Sequence, residues 1–363
     1  MSTPGEPESV YLPARDRLGA TAPLTFVREF PVLGIPLRVR SNARRAIDLA
    51  ALSFAAWDSL DPALIDRHCP VEMHVIVHDA ARAEGTLWDA RAPFVFRRHG
   101  PVLVAGCGDV LLTIDLEARR YVAFVPPAAL DRPEWYRWHV NGMARFAMCA
   151  LDRFPVHAAT WIAGGTAVMI AGPAGSGKSS LTYAAFRRGL PILAEEATHV
   201  ALANGRRLWG HTEQITIGEG ASALFPELPP ARRVPGGKVK HVVPLDAAAS
   251  PLTHDAPVIV GVLSGRRDGA PRLTPLPESE AQDVLTAEPE EGFDQFPELQ
   301  GSVARAFAGV RMFRLDVGRD PDAAVGLLVQ AAAEQAGAPR TPAGVARTEA
   351  SPGSGSKGNV SST

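Results

Sequence analysis

The fold is decided by the stretch Ala167-Val-Met-Ile-Ala171, Gly172-Pro-Ala-Gly-Ser-Gly-Lys-Ser179 and Ser180-Leu-Thr-Tyr-Ala-Ala-Phe186. Its three parts are an apolar strand, a glycine-rich loop and the first turns of a helix, in the order that a phosphate-binding loop requires. Glycines let such a loop curl with its N–H groups pointing inward, at the positive end of the helix that follows. The stretch therefore predicts a site for the phosphates of a nucleoside triphosphate, with a merely flexible Gly/Ser loop as the alternative.

The residues of this loop have separate predicted tasks. Lys178 can reach the β- and γ-phosphates, and the Ser179 hydroxyl can coordinate Mg²⁺. We therefore expect ATP and Mg²⁺ as cofactors. The predicted nucleotide-binding residues are Gly172, Pro173, Ala174, Gly175, Ser176, Gly177, Lys178, Ser179 and Ser180.

A second apolar segment, Leu190-Pro-Ile-Leu-Ala194, follows the predicted helix and ends at Glu195-Glu196. The order strand, loop, helix, strand predicts a βαβ unit, in which functional groups gather at the carboxyl ends of parallel strands. The acidic pair is then expected to face the phosphates. Phosphoryl transfer needs a carboxylate that positions or deprotonates the acceptor, and we assign this role to Glu195 and the metal-side role to Glu196. A solvated strand end is the alternative.

Residues 154 to 200 resemble the catalytic core of the HPr kinase/phosphorylase family and its relatives, which share a P-loop fold with phosphoenolpyruvate carboxykinase. The matching elements are Val156-His-Ala before a strand, the glycine-rich loop, Arg188-Gly at the end of its helix, and Ala194-Glu-Glu at the end of the next strand. The resemblance implies an α/β P-loop kinase domain that transfers the γ-phosphate of ATP to a serine- or threonine-type hydroxyl. Relatives of this kind phosphorylate proteins, free serine or precursor peptides such as those of lasso peptides.

The chain departs from the family pattern at two places. The acidic pair of the family is Asp-Asp, whereas this chain has Glu195-Glu196. The family signature for recognition of the HPr protein is not recognisable in Thr212-Glu-Gln-Ile-Thr-Ile-Gly-Glu-Gly220. The expected acceptor is therefore a peptide or small molecule with a primary hydroxyl, and not HPr. A protein serine kinase that acts on a carrier protein and a nucleotide-binding regulator with little turnover are the alternatives, and a P-loop ATPase is a third.

Four further residues complete the candidate site. His157 could contact the γ-phosphate or tune the acidic pair, or it could be a hydrogen-bonded core histidine. Lys238 and Lys240 follow Pro235-Gly-Gly237 and could close over the phosphates as a basic loop, although an exposed turn fits as well. Arg319 could pair with phosphate or with Asp316 or Asp320.

Patterning along the chain predicts four regions. Residues 1–22 are rich in Pro, Gly and Glu and are expected to be partly disordered, and residues 23–150 alternate as an N-terminal α+β domain. Within that domain, Asn42 to Phe54 predicts an N-capped amphipathic helix, and Pro133 to Met148 a helix rich in aromatic residues. Residues 151–336 form the predicted P-loop kinase domain, and residues 337–363 a disordered tail.

Composition narrows the classes of protein that remain. The chain has 363 residues, 46% of them hydrophobic and 21% charged, with a formal net charge of −2. This balance gives no reason to expect a nucleic acid or a membrane as partner. Three widely spaced cysteines indicate neither a disulfide framework nor a zinc site. Residues 1–9 lack the basic and apolar regions typical of a signal peptide, and no apolar run approaches the length needed to span a membrane. We therefore expect a cytoplasmic protein, and the sequence leaves a homo-oligomer open.

Overall fold

The computed structural model describes residues 23–78, 93–203, 205–234, 238–246, 250–255, 257–265, 268–287 and 292–337. The expectations for residues 1–22, for the tail beyond Gly337 and for Pro235-Gly-Gly237 lie outside these ranges. The fold is mixed α/β and contains several sheets. None of the helices in the described ranges is long and apolar enough to cross a membrane.

A seven-stranded sheet forms the N-terminal part of the chain, in the order β1-β2-β3-β7-β6-β5-β4. Strand β3 is parallel to both of its neighbours, β2 and β7, and the remaining pairs are antiparallel. Buried and exposed residues alternate along most of these strands, as in a sheet with one face on a core. The strands are β1 (Phe26–Val32), β2 (Ile35–Ser41), β3 (Val71–Val77), β4 (Val95–His99), β5 (Val102–Cys107), β6 (Val110–Asp115) and β7 (Arg120–Val125).

Helices cover the core face of this N-terminal sheet. The aromatic stretch that predicts one helix is divided by a π-helical turn at Arg137–Asn141, with a short helix on either side. Its buried residues, among them Tyr136 and Phe146, pack into the core, as expected for an aromatic stripe. The helices are α1 (Arg44–Phe54), α2 (Pro127–Leu130), α3 (Pro133–Tyr136) and α4 (Ala144–Cys149).

The predicted helix after Asn42 is present, but Asn42 does not cap it. The helix begins at Arg44, and its N-cap residue Ala43 makes no side-chain cap hydrogen bond. The Asn42 amide instead accepts from the Val77 backbone N–H and donates to the Val77 carbonyl, both at 2.9 Å. The Asn42 side chain, which the sequence assigns to a local helix cap, therefore forms a tertiary contact with the end of β3 instead.

A six-stranded central sheet carries the glycine-rich loop, in the order β11-β9-β10-β18-β20-β19. Strands β10, β18 and β20 are parallel. Every residue of β10 and β18 is buried, as expected for parallel strands covered on both faces. The strands are β9 (Ala158–Ala163), β10 (Thr166–Ala171), β11 (Ile192–Ala194), β18 (Val258–Leu263), β19 (Arg272–Pro275) and β20 (Arg311–Asp316).

The predicted βαβ unit has one strand inserted in it. Strand β11 runs in the same direction as β10, because each is antiparallel to β9, which lies between them. The helix α5 (Lys178–Arg187) connects the two and packs on β9. The carboxyl ends of β10 and β11 therefore still meet at one edge of the sheet, although the strands are not neighbours.

Two smaller sheets and three further helices complete the described structure. Core clusters lie on both faces of the central sheet, one against α5 and α8 and the other against β8, α6 and α7. One small sheet has the order β17-β13-β12-β8 and the other β14-β16-β15. The elements are β8 (Phe154–Val156), β12 (Thr198–Ala201), β13 (Arg207–Trp209), β14 (Gln214–Gly218), β15 (Arg232–Arg233), β16 (Val239–Pro244), β17 (Thr253–Asp255), α6 (Glu278–Ala287), α7 (Glu298–Phe307) and α8 (Pro321–Ala336).

Candidate functional site

The glycine-rich loop joins the last residue of β10 to the first of α5, as the sequence predicts. Three of its glycines have positive φ angles: 152° at Gly172, 78° at Gly175 and 111° at Gly177. A Cβ at Gly172 would lie 3.0 Å from both the Leu263 Cβ and the Ser176 Oγ. Glycine is therefore required at position 172 by backbone conformation and by close packing against the end of β18.

Lys178 and Ser176 are polar residues of the glycine-rich loop. The Lys178 ammonium donates to the carbonyls of Gly172, at 2.5 Å, and of Pro173, at 3.3 Å. Ser176 is 6% exposed, and its Oγ has no hydrogen-bond partner among the described residues. A buried hydroxyl of this kind costs free energy unless a polar group satisfies it, so the loop interior is suited to a polar ligand.

The acidic pair meets the start of α5, as the strand order predicts. The Ser179 hydroxyl donates a hydrogen bond of 2.9 Å to Glu195 Oε1. Glu195 is 7% exposed, whereas the Glu196 side chain is 45% exposed. Two adjacent carboxylates therefore differ in solvation, and the buried one is joined to the residue that sequence reasoning assigns to Mg²⁺.

Burial changes the acidity of Glu195. Loss of solvation, followed by repulsion from the Glu196 carboxylate, raises the pKa of Glu195 from 4.5 to about 7. The Ser179 hydroxyl, the Lys240 ammonium and a hydrogen bond from the Thr216 backbone act in the opposite direction. Glu195 can therefore exchange a proton near neutral pH, the range in which a general base is most effective.

The segment after β13 brings Thr216 and Lys240 to the acidic pair. Lys240 on β16 lies 3.7 Å from Glu196 Oε1, measured from its Nζ. The Thr216 hydroxyl on β14 lies 3.4 Å from both Glu195 Oε2 and Lys240 Nζ. Sequence reasoning names Lys240 but misses Thr216, whose only signal is its place on a strand paired with the lysine segment. Lys238, in contrast, is exposed and lies just before β16.

His157 is the single residue between β8 and β9. Ala158, the next residue, pairs with Ala171 at the end of β10. His157 therefore adjoins the edge of the sheet from which the glycine-rich loop leaves β10. It also lines a cavity together with residues of α6 and α7.

The same edge of the sheet continues past the loop. The Ser264 hydroxyl, just after β18, hydrogen-bonds the Asp316 carboxylate at the end of β20. Arg319 is exposed, and its backbone N–H donates to the Gly269 carbonyl. Among the described residues, the Arg319 side chain forms no ion pair with Asp316 or Asp320. Asp320 caps α8 by accepting from the Ala323 N–H.

Comparison with known proteins shows a distant structural similarity. No protein-family model and no curated protein matches the chain. Among solved structures, the chain is similar to the HPr(Ser) kinase/phosphatase from Coxiella burnetii, with a TM-score of 0.27 and 15% sequence identity. The match covers 50% of this chain and 92% of that one. A similarity this low carries no functional argument, so the function has to be argued from the site's own residues.

Proposed function

We propose that the protein is an ATP- and Mg²⁺-dependent kinase that transfers the γ-phosphate to a serine- or threonine-type hydroxyl. The observation that carries the proposal is the hydrogen bond from Ser179 to Glu195. It joins the helix start after a glycine-rich loop to a buried carboxylate that ends a strand of the same direction. A phosphate-binding loop and a carboxylate are the two parts that phosphoryl transfer to an alcohol needs side by side.

The loop residues 172–180 would hold the phosphates in this proposal. Positive φ angles at its glycines support this proposal, because the backbone of a P-loop curls so that its N–H groups form a concave anion site at a helix start. Lys178 exchanges its two carbonyl partners for phosphate oxygens, and Ser176 Oγ gains an acceptor. These groups neutralise or bind charge that develops on the transferring phosphoryl group.

Glu195 is the proposed proton acceptor. The acceptor hydroxyl oxygen forms a bond to the γ-phosphorus as the bond to the β–γ bridging oxygen breaks, and ADP leaves with that oxygen. The hydroxyl proton passes to Glu195, whose pKa of about 7 suits the transfer at neutral pH. Lys240 and Thr216 hold the two carboxylates through their contacts with Glu196 and Glu195, and His157 is proposed to contact the acceptor.

The donor set also fits Mg²⁺. A hydroxyl and carboxylates are oxygen ligands, which this hard cation prefers, and Ser179 and Glu196 are the residues proposed to hold it. Bound there, Mg²⁺ would supply positive charge to the β- and γ-phosphates. Ser179 contacts Glu195 and not Glu196. The assignment to test against is therefore the opposite one, in which Glu195 holds Mg²⁺ and Glu196 accepts the proton.

The test measures phosphate transfer and ATP loss on the same protein. Labelled ATP and Mg²⁺ are incubated with serine-containing peptides, free serine, a carrier protein such as HPr, or no acceptor, and the products are mapped by mass spectrometry. Acceptor-dependent labelling of a hydroxyl supports a kinase, and labelling confined to the carrier protein supports the carrier-kinase alternative. ATP binding with neither transfer nor hydrolysis would identify a nucleotide-sensing regulator, and hydrolysis without acceptor an ATPase.

Two variants separate the roles of the carboxylates. Glu195→Gln should lower turnover by about 10²–10⁴-fold while leaving nucleotide affinity nearly unchanged, as for loss of a general base. Glu196→Gln should weaken Mg²⁺-dependent nucleotide binding. If Glu195→Gln weakens the Mg²⁺ dependence and Glu196→Gln removes turnover, the roles are reversed.

A further inference from the structure

The cavity beside His157 has the composition of a side-chain pocket. Its volume is about 80 Å³, several times the roughly 15 Å³ that one water needs on the same measure. The space therefore fits an apolar group of several heavy atoms, such as the side chain of leucine or phenylalanine. Its apolar walls are Leu285, Phe293, Phe296, Leu299 and Val303, and its polar groups are on His157, Thr286, Asp294 and Gln300.

The walls of this cavity are held by the N-terminal unit. Phe293 stacks on Phe146 of α4 with ring centroids 4.2 Å apart, and Phe296 stacks on the same ring at 5.6 Å. Arg98 on β4 lies over the Phe296 ring, 4.4 Å from its centroid, and pairs with Glu298 at 2.6 Å. These contacts hold the Phe293 and Phe296 walls of the pocket at the place where the N-terminal sheet meets the helices beside the central sheet.

The position of this pocket beside the candidate site indicates what kind of group it binds. His157 lines the cavity and directly precedes β9, whose first residue pairs with Ala171 next to the glycine-rich loop. Glu195 follows Ala194 of β11, which pairs with Thr160 on the other side of β9. Glu195 and His157 are therefore about 4.8 Å apart across the sheet and roughly two residues, about 6.6 Å, apart along it. An extended peptide advances about 3.3 Å per residue, so a hydroxyl at Glu195 places a residue two or three positions away at the pocket.

We propose that this cavity is the specificity pocket for the acceptor, and that the acceptor is a peptide with a large apolar residue two or three positions from the phosphorylated hydroxyl. The inference rests on the proposed kinase function and names its substrate class. Apolar walls favour Leu, Met or Phe in the pocket, because about 25 cal/mol is gained for each Å² of apolar surface removed from water. Asp294 at the rim disfavours acidic residues there.

The experiment uses the full-length protein and a set of serine peptides that carry Phe, Leu, Ala or Asp at each of the three positions on either side of the serine. We expect kcat/KM for the best Phe or Leu peptide to exceed that of the matching Asp peptide at least tenfold. Gln300→Trp fills the pocket from an exposed position on α7 and should raise KM for the Phe peptide at least tenfold. Arg305→Trp places the same bulk on the same helix outside the pocket and should keep the preference.

The outcomes separate this inference from the function on which it rests. Equal efficiency for all flanking residues, or a preference that survives in Gln300→Trp, overturns the pocket assignment while the kinase stands. MgATP binding with free serine as the best acceptor also overturns it, because free serine offers no apolar side chain. Absence of MgATP binding, measured by calorimetry on the same preparation, overturns the kinase proposal itself.

Discussion

Replacement of Glu195 by glutamine should stabilise the protein at alkaline pH and have much less effect at acid pH. When folding raises the pKa of a carboxyl group, the free energy of unfolding falls as pH rises. The reason is that the group ionises at a lower pH in the unfolded chain than in the folded protein. With a pKa of about 7 in the folded protein and 4.5 in the unfolded chain, the free energy of unfolding falls by about 2.5 kcal/mol between pH 5 and pH 8. Glutamine cannot ionise, so Glu195→Gln removes this loss.

Urea unfolding of the wild type and of Glu195→Gln at pH 5, 6, 7 and 8 measures the effect. The difference in unfolding free energy between the two proteins should grow by about 2.5 kcal/mol across the series, in favour of the variant. Glu117→Gln, at an exposed position in a turn, is the matched control and should show no such growth. A difference that is constant from pH 5 to pH 8 would refute the claim that burial raises the pKa of Glu195.

Three other predictions concern the loop and the tail. Lys178→Ala should leave the protein folded by circular dichroism and lower phosphate transfer by at least about 10²–10³-fold, as for loss of a donor to developing charge; full activity in the folded variant would contradict the assignment. Gly172→Ala should lower the free energy of unfolding by about 1–3 kcal/mol, because its φ of 152° and its 3.0 Å approach to Leu263 both resist a Cβ, whereas Gly220→Ala, with open space around it, should have a smaller effect in the same urea titration. Deletion of residues 341–363 should leave melting temperature and turnover unchanged, and a drop in turnover would show that this Ser/Gly/Pro segment takes part in catalysis.

Local sequence patterns are sufficient to predict the strand, loop and helix around Gly172. They also predict that Glu195 lies at the same edge of the sheet as the start of that helix, where Ser179 lies. Both features depend on short-range order and on the rule that parallel strands end at one edge. The insertion of β9 between β10 and β11 is not available from these patterns, because its pairing with each neighbour is a tertiary choice. Asn42 illustrates the same limit, since its contact with Val77 replaces the expected cap.

The residues that sequence reasoning misses come from distant segments. Thr216 reaches Glu195 only because β14 pairs with the strand that carries Lys240. Gln300 and Phe293 reach the neighbourhood of His157 through packing of α7 and the preceding turn against Phe146. Neither set has a motif, because a hydroxyl or an apolar wall acquires its role from what the fold places beside it.

The pairing of β10 with β18 has a consequence for synthesis of the chain. Ala167 pairs with Val258, about 90 residues later, and the loop glycine at 172 packs against Leu263 at the end of that later strand. When α5 has just emerged from the ribosome, every residue of the loop has been synthesised. The strand that supports the loop, β18, has not. The anion site should mature only after the β18 segment emerges, so a nucleotide added to stalled nascent chains should protect them from protease only beyond that length.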